Sequence, residues 1–127
     1  MQFTNADIRD ANTLDKIFNT FKPDSVIHFA GLKAVGESTA DPIKYYDINV
    51  GGSVSLLKAM SKAGCDKIVF SSSATVYGKP QYLPYDEEHP TNPVNPYGRT
   101  KLMIENIIHD WTKVDSKRNG TVLRYFN

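Results

Sequence analysis

The stretch Lys67-Ile68-Val69-Phe70-Ser71-Ser72-Ser73-Ala74-Thr75 decides the architecture of this chain. A short apolar run closes in three serines, as a buried strand does where it emerges at the edge of a sheet. Downstream, Tyr97-Gly98-Arg99-Thr100-Lys101 sets a phenol and an ammonium four residues apart. On a helix such residues share one face and point at the same small volume. A strand-end hydroxyl facing a Tyr/Lys helix is the layout of a proton-transfer site beside a redox cofactor. A free phenol, with a pKa of about 10, is a poor base at neutral pH. Bringing one near 7 takes roughly 4 kcal/mol of preference for the phenolate, and an ammonium about 4 Å away in a partly shielded site supplies about that much.

Outward from this stretch, strands and helices alternate. Asp10 caps a helix with Leu14, Ile17, Phe18 and Phe21 on one stripe, ended by Pro23. Ser25 to Ala30 reads as a short buried strand stopped by Gly31. Asp41-Pro42 opens a helix with a capping side chain and a proline at the first helical position. Ile43, Tyr46, Val50, Val54 and Leu57 continue it on one face, and Gly64 closes it. Gly51-Gly52 within it read as a place where backbone passes close to a neighbour. Lys67 to Ser71 is the second strand. The prolines at 80, 84, 90, 93 and 96 make 78–96 an irregular loop. A helix over Tyr97 to Lys113, with Leu102, Ile104, Ile107, Ile108 and Trp111 apolar, leads through an Asn119-Gly120 turn to a strand at Thr121 to Tyr125.

Apolar strands buried on both faces and joined by helices predict an α/β fold with a parallel sheet. Ligands bind such sheets at the carboxyl ends of the strands. Three clusters fall there: Gly31 to Ser38, Ser71 to Thr75, and Tyr125-Phe126-Asn127. At 127 residues the chain makes at most one domain. Its 40% hydrophobic and 23% charged residues are those of an ordinary globular protein. A net charge of +1 with scattered Lys and Arg gives no footprint for nucleic acid. No apolar run approaches membrane-spanning length, and no positively charged start followed by an apolar stretch gives reason to expect a signal peptide. One cysteine, Cys65, forms no internal disulfide, which suits a reducing compartment, and a cytoplasmic address is expected.

A Tyr-x-x-x-Lys pair alone fits a packed tyrosine and a solvated lysine equally well. The strand-end serines and the strand-helix register give it weight, and one serine of the three is expected to face the reaction centre. Gly31 to Ser38 has the outline of a phosphate loop, but Glu37 stands where the phosphate-binding lysine must be. A tight turn that brings backbone to a cofactor, with Lys33 available for an anionic group, suits it better. Asp7 either accepts from an amine such as that of adenine or serves a turn. Asn49 either bonds backbone at a strand end or faces solvent. His28, inside an apolar strand, reads as a satisfied core side chain, and His28, His89 and His109 lack metal-ligand spacing.

Taken together, Ala6-Asp7-Ile8-Arg9, His28-Phe29-Ala30-Gly31-Leu32-Lys33-Ala34-Val35-Gly36-Glu37-Ser38, Phe70 to Gly78, Pro96-Tyr97-Gly98 with Lys101, and Leu123-Arg124-Tyr125-Phe126-Asn127 resemble the UDP-glucose 4-epimerases. These belong to the extended short-chain dehydrogenase/reductases. The resemblance runs almost end to end. It implies a partial Rossmann-like doubly wound parallel sheet, with 1–127 as the central part of an NAD-binding domain. It also implies NAD-dependent interconversion of UDP-galactose and UDP-glucose through a 4-keto sugar, in a homodimer. By that similarity Tyr97 takes the proton of the sugar 4-hydroxyl and Ser73 bonds the same oxygen. Lys101 holds the nicotinamide ribose. Asp7 and Ile8 meet adenine, while Phe29, Ala30, Gly31, Leu32, Lys33 and Asn49 line the cofactor groove. Phe126 sits by the nicotinamide, and Lys33 and Asn127 serve the substrate.

The sequence departs from the family pattern at Ile48, where some members carry a second asparagine beside Asn49. The family's Gly-rich loop, first strands and nucleotide-gripping domain are expected to lie outside the chain. About a third of a member is then present, inactive by itself. Two rivals remain: a related 4-epimerase for N-acetylated or pentose sugar nucleotides, and a non-catalytic remnant or binding module.

Overall fold

The computed structural model describes residues 2–126. Strands β1 (Val26–His28), β2 (Lys67–Ser73) and β3 (Asn119–Tyr125) form one parallel sheet in the order β1-β2-β3. His28 lies opposite Phe70, and Ser71, Ser72 and Ser73 lie opposite Leu123, Arg124 and Tyr125. Parallel pairing sends all three carboxyl ends to one rim, so the serine cluster and the end of β3 meet there. This is the partial Rossmann-like sheet that the sequence predicts.

Helix α1 (Ala11–Phe21) begins where the Asp10 carboxylate accepts from the backbone N–H groups of Asn12 and Thr13, at 3.0 and 3.2 Å. It ends with Lys22 in the left-handed region, ahead of Pro23. Within Gly31 to Ser38, read as a turn, the chain winds into a six-residue helix, α2 (Val35–Ala40). Asp41 caps α3 (Pro42–Tyr45) as expected. A π-helical turn, Tyr46–Gly51, then precedes α4 (Gly52–Ala63). One wider turn in the hydrogen-bond ladder rotates everything after it. The inward face departs from the expected stripe at its start: Ile43 is 74% exposed, whereas Tyr45, Asn49, Ser53, Leu56 and Met60 are buried together with the expected Leu57. Helix α5 (Pro96–Lys113) runs back to β3.

Leu14 and Phe18 of α1, Leu56 and Met60 of α4, and Ile104 and Ile108 of α5 close over Ile68 and Phe70 in one apolar cluster. Burial along β2 alternates, with Ile68, Phe70 and Ser72 inward. On the opposite face Ile27, Leu123 and Tyr125 are exposed. The expectation of strands buried on both faces therefore meets a difference. The described residues supply a helix layer to one face, and the period-2 geometry of a strand turns half its apolar side chains to the other. The proline-rich segment from 78 to 95 carries neither helix nor strand, as predicted.

Candidate active site

The phenol and the ammonium are placed by the start of α5. The Asn95 side chain accepts from the Gly98 N–H at 2.8 Å, and Pro96 takes the first helical position. Tyr97, Lys101 and Glu105, four residues apart, are all buried. Lys101 Nζ donates to the Ser71 carbonyl at 2.8 Å, and it lies 4.7 Å from the Phe70 ring centroid and 5.9 Å from that of Tyr97. Burial of the ammonium pulls the Lys101 pKa down to about 8. A cation that stays close to a phenol ring at this range acts on any charge that develops on the phenol oxygen.

Each serine has a separate task. Ser71 lends its carbonyl to Lys101. Ser72 turns into the helix layer, where its hydroxyl donates to Glu105. Ser73 Oγ accepts from the Thr75 backbone N–H at 3.2 Å and from Thr75 Oγ1 at 3.0 Å. These bonds leave its own proton free to donate, and Ser73 lines two adjoining cavities of about 270 and 300 Å³. Lys33, Tyr97 and Tyr125 line both, Phe29 lines the first, and Phe126 lines the second. The rim of the sheet thus gathers Ser73, Tyr97, Lys33, Phe29 and Phe126, which the sequence had placed over almost its whole length. Val35 and Tyr125, which also line this space, belong to clusters that the sequence placed at this rim, but neither was singled out for a role. Asn127 lies outside the described residues.

Asn49 sits in the π-helical turn, 1% exposed, and braces the rim. Its Oδ1 accepts from the Leu32 N–H at 2.7 Å, and its Nδ2 donates to the Leu32 carbonyl at 3.0 Å and to Thr100 Oγ1 at 3.1 Å. Thr100 Oγ1 in turn donates to the Tyr97 carbonyl at 2.7 Å. Of the two readings of Asn49, bonding of backbone at a strand end is the one the structure shows. Gly31, at φ +149°, makes room for it, since a Cβ there would stand 2.9 Å from Asn49 Oδ1. Leu32 is half-buried, while Ala30 and Lys33 are exposed.

Asp7 is exposed and paired. Arg9 holds it through its backbone N–H at 2.8 Å and through Nη2 at 2.6 Å, and reaches Asp47 at 2.6 Å with Nη1. Bonding to Arg9 draws the Asp7 carboxyl down to about 2. Ile8 packs over Gly52, where a Cβ would lie 2.5 Å from Ile8 Cδ1. This is the close approach that the Gly51-Gly52 pair predicted.

Two buried polar groups have partners that the sequence did not reveal. His28 Nε2 lies 2.8 Å from Ser53 Oγ, which donates to the Asn49 carbonyl at 2.6 Å. Burial, helped by the Lys101 charge, pushes the His28 pKa down to about 4. Arg124 grips Glu105, its Nη2 donating at 2.7 Å and its Nε at 3.2 Å. Periodicity marks Glu105 as the polar neighbour of Ile104, and only packing makes it buried.

The chain matches the NAD dependent epimerase/dehydratase family over residues 1–127. It is 55% identical over 126 residues to the UDP-glucose 4-epimerase of Neisseria meningitidis serogroup C, covering 98% of this chain and 37% of that protein. With UDP-glucose 4-epimerase 2 of Arabidopsis thaliana it shares 54% over 127 residues, covering 100% and 36%. The crystal structure of UDP-glucose 4-epimerase from Bifidobacterium longum in complex with NAD+ and UDP superposes with a TM-score of 0.95. That enzyme is 50% identical, over 98% of this chain and 37% of its own. The chain spans about a third of the length of the curated relatives it matches.

Proposed function

Because this chain belongs to the NAD dependent epimerase/dehydratase family, we propose that it forms the central, proton-transferring part of the NAD-binding domain of a UDP-glucose 4-epimerase. The protein containing it interconverts UDP-galactose and UDP-glucose. The observation that carries this reading is the convergence of Ser73, Tyr97 and Lys33 on one pair of cavities, with Lys101 buried behind them.

The donor set suits a dinucleotide. Phe29 and Phe126 offer exposed apolar rings, Lys33 a cation, and Asp7 an exposed carboxylate held ionised by Arg9. NAD bound there supplies the redox chemistry, removing a hydride from C4 of the sugar and returning it. The chain's own residues handle the proton. Tyr97 Oη takes it from the 4-hydroxyl as the 4-keto sugar forms and gives it back on the return step. Ser73 Oγ donates to the same sugar oxygen and holds it against Tyr97. The Lys101 ammonium faces the charge that gathers on the phenol oxygen and bonds the nicotinamide ribose. Asn49 keeps the Leu32 backbone and the Tyr97 carbonyl in register, so its part in cofactor binding is to fix the groove. Asp7 and Ile8 meet adenine, Phe29 to Lys33 line the groove, and Asn127 meets the substrate.

The reading includes a homodimer, supported by an apolar groove of about 290 Å³ on the outer side of α4 and α5, where Leu57, Ile107 and Trp111 meet. It includes the cytoplasm, supported by the free, buried Cys65 thiol. Among the described residues no helix is long and apolar enough to cross a membrane.

Tyr97→Phe in the complete holoenzyme tests the reading. Epimerisation of UDP-galactose is expected to fall about 10²- to 10⁴-fold while NAD stays bound. Undiminished turnover would remove Tyr97 from the chemistry. A holoenzyme that binds NAD and leaves C4 of both sugar nucleotides untouched would remove the assignment itself, and turnover across N-acetylated and pentose nucleotides would show what replaces it.

A further inference from the structure

Directly beneath the serine strand end lies a polar chain that the proton transfer does not itself use. Ser72 donates to Glu105, and Glu105 receives a two-pronged bond from Arg124, with Nη2 at 2.7 Å on Oε2 and Nε at 3.2 Å on Oε1. The Arg124 guanidinium then lies 4.8 Å from the centroid of the Tyr77 ring. Tyr77 stacks on Tyr85 at 4.8 Å and faces Phe126 at 6.2 Å. His89 meets the Tyr77 ring edge-on at 5.3 Å and is anchored by the Gln81 N–H at 3.1 Å. The chain thus runs from the middle serine of β2, through a helix, to the end of β3.

Its position is informative. Ser72 lies between Ser71, whose carbonyl holds Lys101, and Ser73, which lines both cavities. A strand turns successive residues to opposite faces, so fixing Ser72 inward fixes Ser73 outward. Glu105 stands one helical turn beyond Lys101, so the helix that carries the ammonium is tied to β2 and β3 at the same level. A buried carboxylate and a half-buried guanidinium joined by a two-pronged bond hold one geometry, which makes the pair a rigid spacer.

We propose that Glu105 and Arg124 are positioning residues for the reaction. The pair sets Ser73 and Lys101 relative to Tyr97 through Ser72, and sets Phe126 through Tyr77. The proposal rests on the epimerase reading above. It assigns no contact of either residue with substrate or cofactor.

The test uses the complete holoenzyme carrying Ser72→Ala, Glu105→Gln or Arg124→Lys. Each is expected to lower kcat about tenfold or more, with KM for UDP-galactose within twofold. The near-ultraviolet circular dichroism of the Tyr77, Tyr85 and Phe126 cluster is expected to change in Arg124→Lys but not in Ser72→Ala. A pair that served folding alone would lower the yield of active protein and leave kcat per bound NAD unchanged, which would overturn the proposal. If the ion-pair variants do not fold, Ser72→Ala decides. It leaves the pair whole, so an unchanged kcat overturns the proposal and a lowered one supports it. Turnover by the unsubstituted holoenzyme keeps the two claims apart. Its absence overturns the epimerase reading and this inference together, whereas full activity in both wild type and variants overturns this inference alone.

Discussion

The two faces of the sheet differ more than their sequences do. Toward the helices, Ile68, Phe70 and His28 are almost wholly buried, at 2, 0 and 2% exposure. On the other face, Ile27 and Leu123, just as apolar, are 64 and 41% exposed. Both sets come from the same strands and alternate along them. Hydrophobicity therefore says that a side chain prefers an apolar neighbour, and only the presence of a covering layer says whether it has one. The buried face also carries polar work: His28 bonds Ser53, and Ser72 bonds Glu105. Each is paired, as a dry environment requires.

Substitutions test that contrast directly. Phe70→Ala, at the centre of the covered face, is expected to cost about 3–5 kcal/mol, because the neighbouring helices relax only partly into the space. A urea midpoint within error of the parent's would show that this core is not close-packed.

The next effect comes from pH. His28 and Lys101 are bases whose folded pKa values, about 4 and about 8, lie below their ordinary 6.5 and 10.5. For a base so depressed, the unfolded chain binds more protons between the two values, so stability rises with pH across that window. His28 therefore removes stability as pH falls from 6.5 to 4, and Lys101 adds it as pH rises from 8 to 10.5. Each change is roughly 3 kcal/mol at full extent. Denaturation midpoints that stay flat across the acid window in wild type, or that still shift in His28→Phe, would contradict the His28 assignment.

The smallest effect belongs to the open face. Ile27→Ser in this chain is expected to change stability by less than about 1 kcal/mol, within the range of surface substitutions, and to reduce self-association. The same substitution in a longer protein whose further residues cover this face should cost several times more. Equal costs in the two settings would mean that nothing covers it.

Much of the site was legible in advance because its markers are local. Asp10, Asp41-Pro42 and Thr121 to Tyr125 lie close to where the elements begin or run, since capping and strand propensity act over a few residues. Asn119-Gly120, read as a turn, instead already pair with Lys67 and Ile68 at the start of β3. The three-serine run and the Tyr97/Lys101 pair were legible as strand-end hydroxyls and a helix-face pair, while Ser73 among the serines was singled out only through the family resemblance. The π-helical turn at Tyr46–Gly51 left no such mark, and neither did the burial of Tyr45 and Asn49 in place of Ile43. Helix α2 was hidden in a segment whose glycines read as turn.

The sequence by itself determined the order of strands and helices, the parallel sheet and the candidates for proton transfer, because periodicity, caps and residue chemistry are properties of short stretches. Tertiary structure alone decided which face of the sheet is covered, that Asn49 spends its amide on Leu32 and Thr100, and that Glu105 is buried against Arg124 and Ser72. Those outcomes depend on which distant segments meet and exclude water, and a buried polar group reveals its role only through the partner that satisfies it.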